Sequence, residues 1–107
     1  MDKYTIQITS QAKEHLTLIR DYIAHDLKEP EIAKNMLRLL RTEMYSLDSL
    51  PHHIKCIEEK PWGDLGLRKL RVKNYYIYFR IDEALKEVQI LAVIYTKMDQ
   101  EKQLEKL

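Results

Sequence analysis

Lys69, Arg71, Arg80 and Lys97 are the side chains of this sequence best placed for chemistry, and the chemistry they suit is the handling of phosphate. Grouped cations hold phosphodiesters through charge-assisted hydrogen bonds. They also stabilise the extra negative charge that builds when a ribose 2′-hydroxyl attacks its neighbouring phosphate. Metal-free cleavage of that kind needs a general acid or base as well, and Tyr78, His52, His53, Glu58 and Glu59 are the candidates. The same surface serves a binder that does no chemistry, because cations beside phenol rings attract a polyanion or an acidic protein. For binding the set widens to Lys69, Arg71, Lys73, Tyr76, Tyr78, Arg80, Tyr95, Lys97, Met98 and Asp99. Residue types alone leave catalysis and binding both open.

The elements that must position these residues follow from periodicity. Residues 67–82, LRKLRVKNYYIYFRID, alternate in the manner of two strands joined by a tight turn at Lys73–Asn74. Leu70, Val72, Ile77, Phe79 and Ile81 turn inward, which sends Lys69, Arg71, Lys73, Tyr76, Tyr78 and Arg80 toward solvent. Residues 87–95, EVQILAVIY, are the most apolar strand and are expected at the sheet centre. Residues 3–9 alternate as an opening strand.

Thr9 or Ser10 caps a helix whose buried stripe is Ala12, Leu16, Ile19 and Ile23, widened by Tyr22. A turn around residues 27–29 leads to Pro30, suited to the first turn of a second helix. Ala33, Met36, Leu37, Leu40, Met44 and Leu47 form its buried side, and Pro51 ends the hairpin. Residues 54–58 are expected as a short edge strand, and residues 98–106 as a short terminal helix weakly anchored by Leu104 and Leu107. The expected fold is α+β in the order β-α-α-β-β-β, one domain over residues 1–107. A helical hairpin packs on one face of a small, mainly antiparallel sheet. The other face stays partly open and carries the cations.

Charge is local rather than general. The formal net charge is only +1, but residues 51–81 hold seven Lys/Arg against three Asp/Glu, while the flanking segments are slightly acidic. That pattern suits a confined contact site better than a general nucleic-acid coat. The single cysteine, Cys56, lies between Ile54 and Ile57 and is expected to fill core. One cysteine allows no internal disulfide, no apolar run reaches membrane-spanning length and no signal-peptide core opens the chain, so a cytoplasmic protein is expected. Adjacent His52 and His53 lack a third ligand, so no metal is expected, and no glycine loop or other motif calls for a cofactor. Trp62 is expected to close a core edge, and His15 and His25 to sit at the surface.

The opening strand, the hairpin, the segment LRKLRVKNYYIYFRID and the ending ILAVIYTKMDQEKQL together resemble the bacterial RelE/ParE superfamily of toxin–antitoxin toxins. The resemblance implies a toxin neutralised by a cognate antitoxin whose tail covers its working surface. The antitoxin is expected to bind DNA, so that the complex represses its own operon. The RelE branch cleaves messenger RNA on the translating ribosome with basic sheet residues. On that template Lys69 and Arg71 match basic strand positions and Lys97 matches the arginine after the final strand. The catalytic arginine of the next strand falls on Tyr76, and the tyrosine or histidine-tyrosine ending is replaced by residues 98–107. The ParE branch inhibits DNA gyrase, and its long hairpin and its ending resemble this chain at Lys97–Met98–Asp99 and the short helix that follows. The balance of matches favours ParE, with ribosome-dependent RNA cleavage as the alternative.

Overall fold

The computed structural model describes residues 3–107. The chain runs β1 (Thr5–Ile8), α1 (Ser10–Asp21), α2 (Pro30–Tyr45), β2 (Arg68–Val72), β3 (Tyr75–Asp82), β4 (Glu87–Tyr95) and α3 (Gln100–Leu104). The four strands lie in the order β1-β4-β3-β2, with β1 parallel to β4 and the other two pairings antiparallel. The expected α+β order, the hairpin on one face and the short terminal helix are therefore all present. β4 is central, as its apolar run requires.

Local chemistry accounts for the hairpin. The Thr9 hydroxyl accepts from the Ala12 N–H at 3.2 Å and caps α1. α1 continues through a π-helical turn, Tyr22–Asp26, which loosens the helix before it reverses. Lys28 adopts positive φ, and Pro30 then supplies the fixed φ that starts α2. Ala12, Leu16, Leu40, Met44 and Leu47 meet Val72, Tyr75, Ile77, Phe79, Val88, Ile90 and Val93 in the principal core. Tyr22 does not widen that stripe: it is 52% exposed, and Ile23 beside it takes the buried position.

A second, smaller core covers the opposite face, which corrects the expectation of an open surface. Tyr78, Ala92 and Ile94 project from that face and are covered by Ile57, Leu67 and Leu104, with Trp62, Tyr76 and Leu91 at the margin. A register shift between Tyr78 and Phe79 builds it. Tyr78 pairs with Ala92 while Phe79 pairs with Ile90, so Leu91 is the extra residue of a bulge and β4 changes phase there. Beyond the bulge Ala92 and Ile94 turn away from the hairpin. α3 has five residues, too few for a free helix, and is held down by buried Leu104. Burying that leucine contributes about 1.5–3 kcal/mol. Leu107 stays exposed and is no anchor.

The segment from 57 to 67 is folded tightly enough to serve as a cover. Gly63 donates to the Glu59 carbonyl at 2.8 Å, and a Cβ at that position would meet the Ile57 carbonyl oxygen at 2.0 Å. Trp62 packs here, as expected. Residues 54–58 form no strand. They make one bridge, Cys56 to Arg68, and Cys56 is exposed rather than core filler, because Ile57 takes the inward position beside it.

His15 is another correction, since it is not a free surface residue. β1 ends at Ile8, which leaves the upper outer edge of β4 without a strand partner. The Val93 N–H there donates to His15 Nδ1 at 3.1 Å, so that nitrogen must be unprotonated. Burial holds the His15 pKa below its usual value, opposed by the charge of neighbouring Glu14. The unfolded chain therefore takes up the proton first as pH falls. This contribution to stability is complete above the ordinary histidine pKa, about 6.5, and is lost as pH drops toward the lowered folded value. Urea midpoints measured from pH 7.5 to 5 should fall for the native chain and fall less for His15→Gln, which does not titrate. Parallel pH profiles would refute this role.

Candidate functional site

The predicted site residues fall into three groups rather than one. The first is the second core itself. Tyr78 is 0% exposed, its hydroxyl donates to Gln100 Oε1 at 2.8 Å, and burial pushes its pKa up to about 12, helped by the charge of Glu59 and by Tyr76. The alternation placed Tyr78 on the correct face, but it does not reach solvent, because α3 and residues 57–67 cover it. A phenol held in this way is not poised to exchange protons near neutral pH. Tyr76 lies half-buried beside it, ring centroids 6.2 Å apart. Lys69 Nζ stands 4.4 Å from the Tyr76 ring centroid and 4.0 Å from Glu59 Oε2, so that cation is already engaged.

The second group gathers at one end of the sheet. The Lys73–Asn74 turn lies beside the segment after β4, tied by the Thr96 N–H donating to the Asn74 carbonyl at 2.8 Å. Arg71 Nε donates to the Lys73 carbonyl at 3.0 Å. Tyr95 pairs across the strands with Tyr75, ring centroids 5.8 Å apart at 64°. Gln100 Nε2 donates to the Tyr95 and Met98 carbonyls at 2.9 and 2.8 Å, which fixes the 95–98 turn while Oε1 of the same side chain accepts the Tyr78 hydroxyl hydrogen bond. Arg71, Lys73, Tyr95, Lys97 and Met98 are all exposed here. Asp99 is occupied as the α3 cap, its Oδ1 accepting from the Lys102 N–H at 3.2 Å.

Arg80 stands apart. Arg71 pairs with Tyr76, and Arg80 is four residues further along β3, about 13 Å away at the usual strand rise. The Arg71 guanidinium is bonded instead to the Lys73 carbonyl at the turn. His52 is further removed, engaged with Glu83, which also accepts from the Tyr4 hydroxyl at 3.1 Å and from Lys86 at 3.2 Å. His53 and Glu58 are exposed and share no hydrogen bond with these cations. Among the described residues no group of three His, Cys, Asp or Glu side chains could hold a metal ion, and no helix is long and apolar enough to cross a membrane.

The sequence offers the hairpin as a groove for an amphipathic partner helix without singling out its lining, and the structure shows such a groove with a volume of about 930 Å³. Leu16, Ala33 and Leu37 line it with apolar surface. Lys13, Arg20, Lys34, Arg38 and Arg41 also line it, and no carboxylate does. The signal was present as stripes at helical spacing: Lys13, Thr17 and Arg20 on α1, and Lys34, Arg38, Arg41 and Tyr45 on α2.

Comparison with known proteins agrees with this architecture. No curated protein matches the chain significantly. A chain of the chromosomal ParDE toxin–antitoxin system from P. aeruginosa superposes with a TM-score of 0.74 at 21% identity, over 89% of this chain and 98% of that one. A chain of the RelBE2 toxin–antitoxin complex from Mycobacterium tuberculosis superposes with a TM-score of 0.61 at 22% identity, over 89% and 93%. Both likenesses establish the shared fold. Residues 6–100 match the family model described as the ParE toxin of the type II toxin–antitoxin system parDE, and the chain therefore belongs to that family of toxins.

Proposed function

We propose that this toxin arrests growth by inhibiting DNA gyrase as a binding protein, not by cutting RNA. The observation that carries this reading is the closure of the sheet face over Tyr78. A ribonuclease would need that face open, with an acid or base and several cations around one phosphate. Here the phenol is buried, Lys69 is paired, and Arg71 and Arg80 lie far apart. Residues 97–107 supply the α3 cover and, with Arg71, Lys73 and Tyr95, the exposed end of the sheet that would meet the target.

The cognate antitoxin is proposed to neutralise the toxin by laying an acidic, partly apolar segment into the hairpin groove. Five cations around apolar residues suit such a segment in charge and in surface character. A DNA-binding part of that antitoxin would let the complex repress its own operon, in the cytoplasm. The test is gyrase supercoiling of relaxed plasmid with the purified toxin. Supercoiling should stop at stoichiometric or modestly higher toxin and resume when antitoxin is added. Undiminished supercoiling from folded, growth-arresting toxin would refute the proposal.

A further inference from the structure

We infer that the basic end of the sheet, built from Arg71, Lys73, Lys97 and the exposed rings of Tyr22 and Tyr95, is a contact site for single-stranded DNA. The inference deepens the gyrase reading and rests on it for its setting, naming the polyanion that this end of the toxin grips when the target is engaged.

Charge is the first support. Several cations of the sheet and its flanking loops stand opposite carboxylates: Lys3 with Asp48, Lys60 with Asp64, Lys69 with Glu59 and Lys86 with Glu83. Arg71, Lys73 and Lys97 are in no ion pair with any described carboxylate. Asp99, the acid next in sequence, is turned into α3 as its cap. The opposite end of the sheet carries Asp82, Glu83 and Glu87. With Lys86 paired to Glu83 there, that end attracts a polyanion less than the end at Arg71, Lys73 and Lys97.

The rings are the second support. Tyr22 is 52% exposed and Tyr95 37%; Tyr95 packs edge-on against buried Tyr75, ring centroids 5.8 Å apart, and the Tyr75 pKa is raised by burial first and then by the charges of Tyr95 and Tyr22. Met98 adds apolar surface at 51% exposure. Phenol rings beside cations form a platform for bases with phosphates at its rim, the recurring arrangement of single-strand binders. Tyr95 lies on the hairpin side of the sheet and Arg71 on the other, so a strand crossing the end can meet both.

The platform is also rigid. The bond between Thr96 and Asn74 locks the two turns together, and Gln100 pins the 95–98 backbone. A folded acidic helix wants a groove, which the hairpin supplies. Two turns side by side suit a flexible strand of alternating phosphate and base.

The test is fluorescence anisotropy of the purified full-length toxin with a labelled 20-nucleotide single-stranded DNA, without gyrase, so that its failure and the failure of gyrase inhibition are separate results. Three phosphate contacts predict a log–log salt slope of about −2, or roughly 20-fold weaker binding at 200 mM than at 50 mM salt. Lys73→Gln with Lys97→Gln should weaken binding about tenfold or more and flatten that slope by roughly 1.4. Tyr95→Ala should weaken it about tenfold through lost stacking. Lys55→Gln, an exposed cation outside the patch, should bind as the native chain does, and circular dichroism of each variant checks that it is folded. Several results would overturn the inference. They are no binding at 50 mM salt, affinity unmoved by the paired lysine change, tighter binding of an RNA of the same sequence, or equal binding of poly-glutamate. The last would reassign the patch to an acidic protein.

Discussion

Tyr78→Phe should leave the toxin inhibiting gyrase at close to native strength, while Tyr78→Ala should lose most of its folded population on mild heating. The two substitutions separate what a phenol does by packing from what it does by chemistry. Phenylalanine keeps the ring between Ile57, Leu67, Ala92 and Leu104 and removes only the hydrogen bond to Gln100, which costs about 1 kcal/mol. Alanine empties a fully buried aromatic position, and such losses cost about 3–5 kcal/mol. A domain of this size has roughly 5–15 kcal/mol in total, so the alanine variant would spend a large share of its stability at one site. Chemical denaturation of both variants, read beside gyrase inhibition by Tyr78→Phe, checks the pair. Were the hydroxyl a catalytic acid, Tyr78→Phe would instead be stable and inert.

Reversing charge in the hairpin groove should have the second large effect. Arg38 and Arg41 face the groove from α2 on adjacent turns, with Lys34 one turn before and Lys13 and Arg20 across from them on α1. Arg38→Glu with Arg41→Glu turns two attractions for an acidic antitoxin segment into two repulsions. At roughly 1.5 kcal/mol each, the sum is about 3 kcal/mol, or on the order of 100-fold in affinity. Neither side chain is buried, so the fold should be unaffected. Antitoxin titrated calorimetrically into this variant should bind correspondingly more weakly and with less salt dependence. In cells the variant should stay toxic when antitoxin is co-expressed. Unchanged affinity would move the antitoxin to another surface.

What the sequence made legible follows the range of the forces involved. β4 is found at residues 87–95 as its apolar run suggests, and the hairpin closes at the turn before Pro30, because periodicity and proline geometry act over a few residues. The two-residue turn at Lys73–Asn74 was visible for the same reason. Tyr78 was legible only halfway. Alternation put it on the face away from the hairpin, but its cover comes from Leu104, 26 positions later, and from a segment with no periodicity of its own. The bulge at Leu91 has no marker such as glycine, and it is what turns Ala92 and Ile94 into the second core. His15 lacked a local signal as well, since its partner is a strand edge exposed only because β1 stops at Ile8. Of the candidate site, the grouping of Lys73, Tyr95 and Lys97 follows from strand ends that the sequence locates. The separation of Arg71 from Arg80 follows from register, which needs the sheet.

The most direct test of the central claim is primer extension across a messenger RNA in a reconstituted translation reaction, run at a toxin concentration that halts gyrase supercoiling. A binding toxin with a closed sheet face predicts full-length extension products with and without toxin, while supercoiling in the parallel reaction is lost. Ribosome-dependent cuts in codon register, abolished by Arg71→Gln or Lys97→Gln, would contradict the account and make the exposed end of the sheet a ribonuclease site.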